Sequence, residues 1–414
     1  LHLLHGFLGV AGLLALAFAL SEDRRAIPAR VVVSGLALQV ALALLLLKVP
    51  PARAVVASLA SAVGALDQAT EAGTSFVFGY LGGAAPPFEP NGKGSAMVLA
   101  FRVFPLILVV SAIASLLFHW GVMQKIVAAM AFGLRRVMGI GGALGAGAAV
   151  NFFVGMVESP ILIKPYLATM HRGELFALMS CGMAGIAGTV MVIYGHILSP
   201  AVPDALANVL IAALISAPAA LAVAAVLTPF PVGGAQGAIV IVDPPRNALE
   251  AITRGTTDGM AILANVLAHL IVLLALVALV NAALAALPDV LGAPLSLQRL
   301  FALAFWPAAW LIGVDASDLD VAARLLGTKS VLNEFVAYID LAALPPEALS
   351  PHSRLILLYA LCGFANFGSV GVLVGGVCAM APERRHDIVA LGLRAMLAGT
   401  LASLMGGAVV GALT

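Results

Sequence analysis

Two acidic residues, Glu158 and Glu334, stand in stretches otherwise too apolar to hold them. The first closes Asn151-Phe-Phe-Val-Gly-Met-Val-Glu158 and the second closes Gly327-Thr-Lys-Ser-Val-Leu-Asn-Glu334. A carboxylate at membrane depth costs roughly 3 kcal/mol on insertion scales, so it needs a ligand, a cation or a proton to justify it. Each acid also has a lysine within six residues, Lys164 and Lys329. A structural ion pair is therefore the plainer alternative. Near Glu334, Thr328 and Asn333 add hydrogen-bonding capacity for which an apolar core has no use. Asn151, four residues before Gly155, offers the kind of side-chain oxygen that sodium and other hard cations prefer.

Behind each acid comes a related segment: Cys181-Gly-Met-Ala-Gly-Ile-Ala-Gly-Thr-Val190 after the first, Cys362-Gly-Phe-Ala-Asn-Phe-Gly-Ser-Val370 after the second. With one residue of gap, the two share C-G-x-A followed by G-[ST]-V. An internal duplication carrying buried charge and helix-breaking residues is the pattern of a membrane transporter. In the second segment, Asn366 and Ser369 flank Gly368. Either side chain alone can simply bond across helices; three helix-weakening positions in four residues point to an unwound stretch lining a site. His196 has two open readings, a proton shuttle or a packed, cavity-facing ring. No HExxH or GxSxG occurs, nor any convincingly spaced Cys/His pair, so an enzyme would have to assemble scattered residues within the membrane.

The composition explains why such acids are out of place. Of 414 residues, 62% are hydrophobic and only 10% charged, against about 25% charged in soluble domains. The chain is an integral membrane protein. Its net charge of +1 and lack of a basic, aromatic-interleaved run exclude nucleic acid as a partner. The three cysteines, Cys181, Cys362 and Cys378, lie in apolar sequence without CxxC spacing and read as packing residues. The first apolar segment has no basic n-region or small-residue cleavage site, and reads as a span rather than a leader.

Hydropathy then places the elements that position the acids. Spans are expected at 3–20 and 31–47, with Arg24, Arg25 and Arg30 holding the loop between them in the cytoplasm. Residues 54–72 read as an interfacial helix, and 82–94 as a Gly/Pro loop whose Gly92-Lys93 lacks the rest of a phosphate loop. A span at 96–118 carries a snorkelling Arg102, and 123–138 is amphipathic and interfacial. Residues 143–166 are apolar but broken, which predicts a re-entrant hairpin turning near 155–157. Further crossings are expected at 174–198, 205–227 and 259–284, the last led into by a polar, interfacial stretch at 247–257. Trp306 and Trp310 beside Pro307 make 295–314 an interface anchor. The second acid follows, then spans at 355–378 and 388–413. Three crossings between the acids invert the second copy relative to the first.

The chain resembles the concentrative nucleoside transporter family over nearly its whole length. The likeness rests on Phe76-Val-Phe-Gly79, on 101–124 with its Phe-Pro-Leu-Ile-Leu core, and on Val154-Gly-x-x-Glu158. It rests above all on Gly327-Thr-Lys-x-x-x-Asn-Glu-Phe-Val-Ala-Tyr338 and Cys362-Gly-Phe-Ala-Asn-Phe-x-Ser369. The resemblance implies an all-α polytopic fold with eight transmembrane helices, two inverted re-entrant hairpins and interfacial helices, in an inner-membrane homotrimer. It divides the chain into scaffold helices (1–118), a first transport repeat (119–228), a linker with a scaffold span (229–294) and a second transport repeat (295–414).

Carried over residue by residue, the resemblance puts the nucleobase on Gly155, Met156, Val157, Glu158 and Val190. The ribose falls to Glu334, Phe364, Asn366 and Ser369, and sodium to Asn151, Val154, Gly185 and Ile186. Two departures stand out. Met156 and Val157 replace the family's Gln-[Ser/Thr], removing two hydrogen-bonding side chains from the base. Gly185 replaces a hydroxyl residue that often ligates sodium. The function implied is a cation-coupled nucleoside importer working by alternating access, with sodium favoured because Asn151 is kept. The alternatives are proton coupling through Glu158, with nucleoside analogues or free bases as cargo, and an intramembrane enzyme.

Overall fold

The computed structural model describes residues 2–89, 98–234, 237, 244–290 and 292–414, and among these the regular structure is helical. The Gly92-Lys93 pair lies outside the described residues. In chain order the N-terminal helices are α1 (His2–Ala19), α2 (Ala29–Lys48), α3 (Pro50–Phe78), α4 (Leu99–Arg102) and α5 (Leu106–His119). There follow α6 (Val122–Met138), α7 (Gly142–Val154), α8 (Glu158–Ile161), α9 (Lys164–Leu167), α10 (Arg172–Ala184), α11 (Gly188–Leu198) and α12 (Ala205–Leu227). After α13 (Ala248–Ala285) come α14 (Leu297–Leu311), α15 (Leu319–Val331), α16 (Glu334–Ala343), α17 (Pro351–Leu361), α18 (Phe367–Met380) and α19 (Arg385–Leu413).

The order repeats. An amphipathic helix, a hairpin, an interrupted helix and a long helix run from α6 to α12, and the same sequence of elements runs from α14 to α19. Six stretches among the described residues are long and apolar enough to cross a bilayer: α1, α2, α4–α5, α12, α13 and α19. The two interrupted helices, α10–α11 and α17–α18, bring the total to the eight expected. With 15 residues, α14 rises about 22 Å, short of the roughly 30 Å apolar core. This agrees with its reading as an interface anchor.

Burial separates the centre from the rim. In its most apolar window α12 is 83% buried and α19 67%, against 22% for α1 and α2 and 11% for α13. α12 and α19 are therefore the core, with α2 laid along α12 and α1 along α19. α5 and α13 pair with each other, closely apposed where Gly255 and Gly259 meet Ser111. The polar stretch at 247–257 runs unbroken into the span after it, as the first part of α13, one helix of 38 residues. The reason is local. Asn247 Oδ1 accepts from Glu250 N, Arg254 pairs with Glu250 one turn back, and Thr253, Thr256 and Thr257 donate to carbonyls four residues earlier. Polar side chains satisfied this way continue a helix and do not end it.

The first hairpin turns where the sequence places it. α7 stops at Gly155, whose φ of +96° only glycine adopts readily; a Cβ there would also stand 3.0 Å from Ala187 Cβ. Pro160 and Pro165 then cut the returning arm into two single turns, α8 and α9. In the second hairpin Asn333 caps α16, its Oδ1 accepting from Val336 N at 2.9 Å, and the returning arm is one continuous helix. The interruption expected at 366–369 lies slightly earlier, at 362–366. Asn366 is the N-cap of α18, and Gly368 and Ser369 are already helical. The shift follows from Gly363, at φ +144°, where a Cβ would lie 2.6 Å from Ala184 O. The two interrupted helices cross here, and Phe364 N donates to Gly185 O at 3.2 Å.

Candidate functional site

Glu334 is the first residue of α16 and is 4% exposed. Its two oxygens are held from opposite repeats. The Tyr194 hydroxyl, on α11, donates to Oε1 at 2.6 Å, and Asn366 Nδ2, at the cap of α18, donates to Oε2 at 3.1 Å. Asn366 is fixed in turn because its Oδ1 accepts from Ser369 N at 2.8 Å. Ser369 thus enters through its backbone, and Phe364 lies half-buried in the same break. The lysine that offered a structural pair does not make one. Lys329 is 2% exposed, but its ammonium donates to Ala360 O at 3.0 Å, and no ion pair joins it to Glu334 among the described residues.

Glu158 sits differently. It is half-buried at the start of α8 and forms no ion pair with Lys164, which is exposed. It lines a cavity of about 370 Å³ between the first hairpin and the α5–α13 pair, together with Val154, His119, Gln124 and Asp258. Glu334 is not part of that lining. Beside Glu158 the hairpin tip is apolar and packed: a Cβ on Gly182 would meet Met156 Cβ at 2.9 Å, and one on Gly376 would meet the Val157 side chain at 2.8 Å. Val190 is half-buried on α11.

Of the residues assigned to sodium, Asn151 and Gly185 meet, Ile186 adjoins Gly185 in the chain, and Val154 lines the Glu158 cavity. Asn151, 4% exposed, donates from Nδ2 to Cys181 O at 2.9 Å, while its Oδ1 is buried without a hydrogen-bond partner. A buried amide oxygen left bare is costly, on the order of 1–3 kcal/mol. Ile186 is wholly buried in the adjoining break. The missing side chain at Gly185 also finds its reason here, since a Cβ would stand 2.7 Å from Asn151 Nδ2. Ser216 Oγ, on α12, is 3.8 Å from that same point. No group of three or more His, Cys, Asp or Glu side chains suited to a metal ion occurs among the described residues. A site here would be built of amide and carbonyl oxygens.

His196 is not packed alone. Its Nδ1 lies 3.0 Å from Asp67 Oδ2 on α3, at a separate crevice. Sequence reasoning missed Tyr194 altogether. One signal was available, since Tyr194 lies four residues after Val190 and so shares its helix face. His119, which the sequence does not single out, lines the Glu158 cavity.

The profile described as Na+ dependent nucleoside transporter C-terminus matches residues 208–411, that described as Na+ dependent nucleoside transporter N-terminus matches 8–81, and one described as nucleoside recognition matches 100–201. An uncharacterized transporter of Haemophilus influenzae is 38% identical, over 99% of this chain and 97% of its own. The nucleoside permease NupC of Helicobacter pylori is 34% identical over 99% and 97%. The rat sodium/nucleoside cotransporter 1 is 35% identical over 98% of this chain and 63% of its own. Among solved structures, CNTnw in an inward-facing substrate-bound state superposes with a TM-score of 0.90 at 38% identity, covering 99% of each chain.

Proposed function

The chain belongs to the concentrative, Na+ dependent nucleoside transporter family, and from that premise we propose that it imports nucleosides by sodium symport, holding the ribose on Glu334. Membership makes it a multi-pass plasma-membrane transporter of nucleosides working by alternating access, not an enzyme.

One observation carries the ribose assignment. Glu334 is buried, its two oxygens accept from Tyr194 and Asn366, and no salt bridge joins it to a cation among the described residues. An ionised carboxylate has about four acceptor sites, more than these two side chains fill. The vicinal hydroxyls of a ribose supply two donors, and hydrogen bonds to a charged group are worth about 1.5–3 kcal/mol each. A sugar lacking them would leave the carboxylate unpaired, which is how such a site discriminates. The base would lie toward the first hairpin, where Met156 and Val157 offer apolar contact and Glu158 the one acid.

Sodium fits the first break. Asn151 Oδ1 is the orphan that a cation would satisfy, and Ser216 stands near the hydroxyl lost at Gly185. Bound there, the ion would draw the end of α7 and the break after α10 together, ordering the hairpin tip before nucleoside arrives. Proton coupling is the second reading, favoured by Glu158 facing a cavity with His119 and Asp258. Uptake of labelled uridine, adenosine and uracil into proteoliposomes under separate sodium and pH gradients tests both. A sodium gradient should drive uridine and adenosine but not uracil. Uptake driven by pH alone refutes sodium coupling, and uptake of uracil refutes recognition through the ribose.

A further inference from the structure

We infer that Tyr194 is a positioning residue: through its hydroxyl, the first repeat sets the geometry of the carboxylate with which the second repeat recognises the sugar. The inference rests on the reading of Glu334 as the ribose ligand and goes beyond it, because it names the link between the two halves of the site.

Tyr194 lies two turns into α11, the helix that resumes after the break at 185–187. It is 1% exposed and is wedged against the second hairpin. Its ring centroid lies 5.0 Å from Tyr338 and 6.2 Å from Phe335, both on α16. Tyr338 is itself anchored, its hydroxyl donating to Leu358 O at 2.8 Å. The phenol therefore has little freedom to move unless α11 moves. Its 2.6 Å hydrogen bond to Oε1 is the contact that ties Glu334 to the first repeat, while Asn366 ties Oε2 to the second.

That geometry gives Tyr194 two tasks. It fixes the rotation of the carboxylate, so the acceptor sites left open point in set directions. It also reports on the break, because residues 185–187, which pass against Asn151, run directly into α11. A change in that break tilts the helix and carries the phenol with it. A carboxylate held by Asn366 alone would keep its charge and lose its orientation.

The test uses the full chain in detergent. Affinities for uridine and 2′,3′-dideoxyuridine are measured by competition, in sodium and in choline, for the wild type and for Tyr194→Phe, which removes one oxygen and keeps the ring packing. The variant should bind uridine about 10- to 100-fold more weakly, the range for losing a hydrogen bond to a charged group. It should bind the dideoxy analogue nearly as well as the wild type does. Its gain in uridine affinity from sodium should also shrink. Equal losses for both ligands mean that Tyr194 only supports the fold, and overturn the inference, as does unchanged uridine affinity. A full sodium effect in the variant overturns the link to the break. A wild type that binds uridine no better than its dideoxy analogue defeats the ribose reading itself. Partial recovery of the uridine preference in Tyr194→His, which retains a donor, would support the positioning role.

Discussion

At the end of α10 in the first repeat, the Cys181 carbonyl is met by an amide, Asn151, whose own oxygen is left bare. At the end of α17 in the second repeat, the Ala360 carbonyl is met by an ammonium, that of Lys329. The hairpins differ in the same sense. The second has a capped, continuous returning arm; the first has no side-chain cap, and two prolines interrupt its return. One half carries a positive charge covalently at its break, and the other presents oxygen where a charge is wanted. The duplication supplied one architecture twice, and in the function proposed above the two copies divide the labour: the second is finished in advance, and the first would be finished by the ion it binds.

The acids give the largest expected contrast. Glu334→Gln should weaken nucleoside affinity at least ~30-fold, because truncating a buried, hydrogen-bonded charge costs about 2–5 kcal/mol. Glu158→Gln, at a partly buried position without an ion pair to Lys164, should cost about 10-fold or less, in line with one hydrogen bond of about 1 kcal/mol. Equal losses in competition binding would break the comparison. A smaller contrast lies in ion dependence. Asn151→Ala should raise the sodium concentration for half-maximal uptake about tenfold, the equivalent of one ordinary hydrogen bond. Lys329→Met should lower thermal stability by about 1–3 kcal/mol whatever the salt, by leaving Ala360 O unpaired. Sodium rescue of the Lys329 variant would show that the two positions are interchangeable. The smallest effect belongs to the cap: Asn333→Ala should cost about 1 kcal/mol in a thermal melt, with no equivalent at Val157, which caps nothing.

Much of this arrangement is legible in the amino-acid sequence, for physical reasons. A Gly-Met-Val-Glu run between apolar segments marks a turn at depth, and the turn is at Gly155. Asn366 next to glycines marks an interruption, and Asn366 bounds it. What escapes is decided at long range. The break begins at 362 because Gly363 must pass under Ala184, a contact between repeats that no local window contains. Tyr194 reads as packing in an apolar helix, since its carboxylate partner is 140 residues away. The lysines were near the acids along the chain, yet Lys329 turns to a backbone carbonyl instead. The polar start of α13 reads as an interface until its threonines are seen to bond one turn back.

The crossing of the two breaks also bears on how the chain is made. Gly185 O receives the Phe364 N–H, so the first interruption cannot be completed when its own helices enter the membrane. That hydrogen bond must wait until the chain has been made past the second hairpin, through Phe364. The meeting of the two breaks is therefore a long-range contact that neither repeat can form on its own.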